Sequence, residues 1–198
     1  MILNFVILGL IAFLLFLLYD INSVILRKKL LKSCFFLGTL LLAAATTGII
    51  ITSWGQTGFD IIRLCFFGGL ALAFLGLLLY TLFYALPFSA TYVKTELPCE
   101  VCDSGVYALC RHPGVLWFTG FYLSLGLALK IQMLLIAAVI FSLLDILYVL
   151  FQDRYTFIKS MKNYEGYKKN TPFLIPNGKS IKRCMRTLAK REEREYEL

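Results

Sequence analysis

The residues of this chain that are equipped for chemistry collect in two places. The first is Gly105-Val-Tyr107-Ala-Leu-Cys110-Arg111-His112-Pro113, which contains the only histidine. Pro113 suits the first turn of a helix, because its missing N–H would be unpaired there anyway. Arg111 and His112 then stand at a helix N-terminus, where free backbone N–H groups and the helix dipole favour an anion. Two readings stand side by side: anchoring at a membrane interface, or a polar site. The second place is Asp145, Tyr148, Gln152 and Tyr155, spaced i, i+3, i+7 and i+10 on one helix face, with Asp153 beside them. Asp145 falls within an apolar stretch, where an acid is costly and turns toward the helix bundle or a wet cavity. It serves there either as a structural hydrogen bond or as part of a site. Tyr80 and Tyr84, four residues apart, read as interfacial aromatics. Cys99-Glu-Val-Cys102, Cys110 and His112 are zinc-ligand types, but a single CxxC without a second close pair predicts no metal. There is no glycine-rich phosphate loop, no Ser-His-Asp order and no nucleic-acid motif.

These groups must be positioned by apolar helices. The chain has 198 residues, 59% of them hydrophobic, with a mean hydropathy of +0.76. The apolar residues come in blocks long enough to cross lipid, which takes about 20 helical residues. The blocks are 2 to 19, Cys34 to Ser53, Ile61 to about Pro87, 114 to 129 and 131 to 151, the last two separated clearly only by Lys130. The sequence therefore predicts an all-α, multi-pass integral membrane protein of five transmembrane helices, ending in a helical hairpin and a basic tail. The first block lacks a basic n-region and a small-residue cleavage site, and reads as a retained helix rather than a signal peptide. Gly68, Gly69 and Gly76 are expected to permit close helix contact, and Trp54 to Gly58 is expected to be a turn. Three regions result: residues 1–87 with three spans, 88–177 with the loop and hairpin, and the tail 178–198.

The charge distribution orients this arrangement. With the N-terminus outside, the cytoplasmic segments hold four basic residues after the first span, two in the loop (Lys94 and Arg111) and twelve from Gln152 to Leu198. Only Arg63 and Lys130 remain outside, as the positive-inside rule requires. The net charge of +8 thus reflects topology rather than nucleic-acid binding. In the tail, Ile181, Met185 and Leu188 form a short apolar stripe among Lys182, Arg183, Arg186, Lys190 and Arg191. This segment is either a solvated basic end or an amphipathic helix on anionic lipid. The six cysteines show no paired extracellular framework.

Arg111-His112-Pro113 at the start of a span, the hairpin, and then Tyr164-Glu-Gly-Tyr167 and Thr171-Pro172-Phe-Leu-Ile175-Pro176 follow in order. Together they resemble the isoprenylcysteine carboxyl methyltransferase and phospholipid N-methyltransferase superfamily of membrane enzymes, over about residues 100 to 177. The resemblance implies an S-adenosylmethionine-dependent methyltransferase with a lipid-like or prenylated acceptor, carboxyl O-methylation being favoured. Carried over residue by residue, it implies cofactor contacts at Gly105, Tyr107, His112, Pro113, Gln152, Asp153 and Tyr155. It implies catalytic roles for Arg111, His112 and Asp153: orienting a carboxylate, or taking a proton from an amine or thiol acceptor. Tyr107 and Tyr155 would face the sulfonium by cation–π contact.

The chain departs from the family pattern at Val115, where the family usually has Tyr, at Trp117, where it has Gly, and at Gln152, where it has the first of two paired glutamates. Reversion by Gln152→Glu is expected to leave cofactor binding equal or better. The departures also support a second reading, a non-catalytic member that binds lipid or a protein partner. A third is an NADPH-dependent membrane reductase with a similar hairpin.

Overall fold

The computed structural model describes residues 2–54, 60–85 and 99–196, with side chains for 3–54, 60–85 and 100–189. The turn expected through Gly58, the loop through Lys94, Pro87 at the end of the third block and the side chains of Cys99, Lys190 and Arg191 lie outside those residues. The described chain is helical apart from one two-residue parallel pairing, β1 (Cys99–Glu100) with β2 (Met161–Lys162).

The helices are α1 (Ile2–Ile21), α2 (Cys34–Ser53), α3 (Ile61–Leu79), α4 (Val106–Leu109), α5 (Pro113–Leu129), α6 (Gln132–Phe151), α7 (Phe157–Ser160), α8 (Tyr164–Asn170) and α9 (Gly178–Tyr196). Four helical stretches are long and apolar enough to cross a membrane: Leu3–Leu26, Leu30–Ser53, Ile61–Tyr84 and Gln132–Ser160. The chain is a membrane protein by this measure. The fifth expected span, α5, is apolar but has 17 residues. Contacts divide the chain into two compact units, residues 1–75 with 118–156, and residues 76–117 with 157–198.

In the first unit, α1 and α2 form a hairpin closed by one side chain. A π-helical turn, Asn22–Leu26, follows α1, and Arg27 stops it in the left-handed region (φ 51°). Buried Asn22 spans the turn: its amide donates to the Lys28 carbonyl (3.0 Å) and its Oδ1 accepts from the Lys28 N–H (2.8 Å). The α5–α6 turn is a Schellman closure, with Lys130 left-handed (φ 55°), its N–H on the Leu127 carbonyl and the Ile131 N–H on the Gly126 carbonyl. Phe13, Phe118, Tyr122 and Phe141 pack edge-on or tilted at the centre of this unit. Tyr122 and Thr46 share a hydrogen bond of 2.7 Å between α5 and α2.

The glycines that permit close approach are not those expected from sequence. Gly68, Gly69 and Gly76 have nothing within 4 Å of a Cβ placed there. Ala71 is the only buried residue of α3, so its glycines have no neighbouring helix to admit. A Cβ at Gly9 would instead overlap the Phe141 ring, and one at Gly48 the Phe5 ring. Gly48→Leu is therefore expected to destabilise the detergent-purified protein by about 1–3 kcal/mol through overpacking. Gly68→Leu should leave its thermal midpoint unchanged.

Candidate functional site

In the second unit the Arg111-His112-Pro113 segment is built into a shell of aromatic rings. Cys110 is extended (φ −156°), which ends α4 and turns the chain toward α5. The Arg111 N–H donates to the Pro172 carbonyl (2.9 Å). Its guanidinium lies over the Phe173 ring, 5.4 Å from the centroid. The His112 imidazole is buried, stacked on Phe157 (5.8 Å, 11°) and edge-on to Phe173 (5.1 Å). Phe157 in turn meets Tyr164 edge-on at 5.5 Å. His112 therefore lies among rings, not at an open interface.

The Tyr-x-x-Tyr segment closes on the same loop. Tyr164 and Tyr167, both on α8, are buried. The Tyr167 hydroxyl donates to the Tyr107 carbonyl at 2.6 Å. Burial, and after it the nearby Cys110 thiol, push the Tyr167 phenol above its usual range, so it remains a donor at all physiological pH. Burial likewise pushes the Cys110 thiol up to about 11. Thr171 accepts a 2.7 Å bond from Arg183, which also donates to the Asp103 carbonyl. The RHP, Tyr-x-x-Tyr and Thr-Pro motifs thus meet in one unit.

Other candidate residues here are committed to holding this arrangement. The Tyr107 hydroxyl donates to the Thr81 carbonyl (3.0 Å) and the Gly105 N–H to Thr187 Oγ1 (2.9 Å). Gly105 has φ +59°, which a side chain would strain. Pro113 is fully buried in the first turn of α5, as its type predicts. The two departures in α5 also have partners: the Trp117 indole donates to Thr81 Oγ1 (3.1 Å), and Val115 is buried.

Gln152, Asp153 and Tyr155 belong to the first unit, on the π-helical turn Gln152–Thr156 that extends α6. Asp153 is buried, and Tyr155 stacks on Phe151 at 5.3 Å. The face that carries Asp145, Tyr148 and Gln152 meets a residue the sequence reading passed over. Asp20, 5% exposed near the end of α1, accepts hydrogen bonds from the Tyr148 hydroxyl and the Gln152 amide. Its other carboxylate oxygen, Oδ2, is buried without a partner. The signal was available in sequence: Asp20 is the single charge in the first 26 residues, on an apolar helix.

Among the described residues no three His, Cys, Asp or Glu side chains gather as metal ligands. An open polar depression of about 360 Å³ lies between Glu100, Asp103, Lys162 and Arg183, and none of the candidate site residues lines it.

Comparison with known proteins gives no match. No protein-family model, no curated protein and no solved structure matches this chain.

Two predictions follow from these contacts. The Gln152 amide donates to a carboxylate, so Gln152→Glu would set two buried acids against each other, which revises the expectation that this reversion is harmless. It should lower stability by about 3–5 kcal/mol, the scale of an uncompensated buried charge. Asp20→Asn combined with Gln152→Glu should recover most of the loss in thermal unfolding, because donor and acceptor are exchanged. Separately, Cys110 should resist maleimide at about pH 8 in the folded protein, since the reactive thiolate is neither formed nor exposed. Half-exposed Cys102 should label under the same conditions, as read by peptide mass spectrometry.

Proposed function

We propose that the chain is a membrane-embedded S-adenosylmethionine-dependent methyltransferase acting on a lipid-like acceptor, with carboxyl O-methylation the favoured reaction. The observation that carries this reading is the joining of the RHP and Thr-Pro segments. They are tied by the Arg111 N–H on the Pro172 carbonyl, while Tyr167 ties α8 to Tyr107. Motifs that the resemblance treats as one functional group are thereby mutually supported. The residues of the second unit also suit such a cofactor: rings around His112 exclude water, and Arg111 supplies a fixed cation.

The cofactor would bring an activated methyl on a sulfonium. Arg111 orients a carboxylate group by charge, and His112 accepts a proton where the acceptor is an amine or thiol. As the resemblance implies, Asp153 and Gln152 would hydrogen-bond polar groups of the cofactor, and Tyr155 would offer its ring to positive charge. A carboxylate acceptor is already ionised and needs no base. Water exclusion by the aromatic shell and fixed alignment then supply the rate enhancement.

The reading includes five spans with the N-terminus outside and the C-terminus and site in the cytoplasm. α5 supports the fifth span, since 17 helical residues extend about 25 Å, at the lower limit for crossing hydrocarbon. Charge asymmetry supports the orientation. Cys184 is buried and a poor reporter, so the topology is tested at exposed positions. In sealed cells Gln132→Cys should label from outside, and Lys169→Cys only after permeabilisation.

The decisive measurement is S-adenosylmethionine binding to the purified full-length chain. Asp153→Ala and Arg111→Ala should each weaken it about tenfold to a hundredfold, the loss of a hydrogen bond to a charged group, with unfolding midpoints confirming the fold. No binding by the parent would favour the non-catalytic reading. That alternative has its own support, because Val115, Trp117 and Gln152 all serve packing or hydrogen bonds within the protein. NADPH binding would point to a reductase.

A further inference from the structure

The basic segment after residue 177 is ordered as a helix. It is the helix α9, and its start is specified locally. The Asn177 side chain accepts the Ser180 N–H (2.9 Å), and Ser180 Oγ accepts the Asn177 N–H (3.0 Å), a reciprocal cap. One face of α9 is committed to the protein. Ser180 and Cys184 are buried, Thr187 bonds the Gly105 N–H, and Arg183 bonds Thr171 and Asp103. The helix packs there against α4.

Among the described residues, α4 is the main partner of α9, and the opposite face of its first three turns is exposed. It carries Ile181, 44% exposed, and Met185, 68% exposed, one turn apart. Lys179, Lys182, Arg186 and Ala189 are exposed alongside. Of the stripe expected from sequence, Leu188 is half-buried and turns toward Gly105, while Ile181 and Met185 face outward. From Gly178 to Arg191 there are six basic residues and no acid; Glu192, Glu193 and Glu195 come only afterwards.

α9 is tied to the end of an apolar helix by contacts inside the second unit. α9 rests on α4, and Tyr107 of α4 donates to the carbonyl of Thr81. Thr81 lies three residues from the end of the apolar helix Ile61–Tyr84, so α9 is fixed near that terminus. Ile175, 81% exposed just before the helix, adds apolar surface to the same approach.

We propose that the first three turns of α9 dock on an anionic lipid surface. Ile181 and Met185 enter the headgroup boundary, and Lys179, Lys182 and Arg186 pair with lipid phosphates and carboxylates. Apolar residues flanked by cations are what such an interface accepts, with long basic stems laid along the apolar edge. A protein partner is disfavoured by the same composition: two isolated apolar side chains among flexible cations make a poor packed interface. The inference stands whether or not the chain methylates anything.

The test uses the full chain reconstituted in bilayers, with Cys65 and Cys102 replaced by serine and a nitroxide at Met185→Cys. Collision with oxygen or with a water-soluble nickel chelate reports immersion. With about 30% phosphatidylserine the label should be accessible to oxygen and shielded from nickel. Lys182→Gln with Arg186→Gln removes two exposed charges, each worth about fivefold at such a surface. It should lower the immersed-to-free ratio by about 25-fold. About 0.5 M salt should have a similar effect, and inorganic phosphate with neutral lipid should not substitute for the anionic bilayer. A label that meets nickel equally in neutral and anionic bilayers overturns the proposal. So does one shielded from both reagents irrespective of lipid, which would mean that protein covers this face.

Discussion

Hydrocarbon offers no hydrogen bonds, so every polar group carried by an apolar helix must find its partner within the protein. The hydroxyls of Thr39, Thr46, Thr52 and Thr81 bond back to carbonyls three or four residues earlier on their own helices. Those that also reach outward become the joints of the fold. Thr46 meets Tyr122 in the first unit, and Thr81 receives both Tyr107 and Trp117 in the second. Asp20 is a costly such group, and Tyr148 and Gln152 converge on it. The arrangement of helices follows from these few obligations as much as from apolar packing, because lipid tails solvate leucine as well as another helix does.

That constraint determines how much was legible in the sequence. Apolar block length located the four long helices, since no soluble fold calls for such runs. The positions that bring helices together were not legible. Gly9 and Gly48 look no different from Gly68 and Gly69 until the rings of Phe141 and Phe5 are seen against them. The RHP, Tyr-x-x-Tyr and Thr-Pro segments were recognisable as motifs, but the bonds between them link residues some 60 positions apart and leave no periodic trace. Asp20 is a lone acid on an apolar helix, and nothing in its own sequence neighbourhood names a partner. Its meaning appears only with the Gln152 amide opposite.

The departures from the family pattern take on a physical sense at this level. Trp117 fills and hydrogen-bonds where a glycine would leave space, and Val115 is buried without needing the hydroxyl that a tyrosine would bring. Gln152 is neutral because a carboxylate already stands across from it on α1. Each change is local and has its own compensation, so none of them separates a working enzyme from a binding protein.

The discontinuity of the second unit has a consequence for how the chain is made. Its two halves, 76–117 and 157–198, are separated in sequence by Phe118–Thr156. The bond from Arg111 to Pro172 therefore cannot form until the intervening hairpin has been synthesised and turned at Lys130. A hairpin turned at Lys130 folds the intervening chain back on itself, so it shortens the loop whose closure entropy opposes that long-range contact. Hairpin formation thus precedes assembly of the second unit, and the aromatic shell around His112 condenses only once the hairpin has turned.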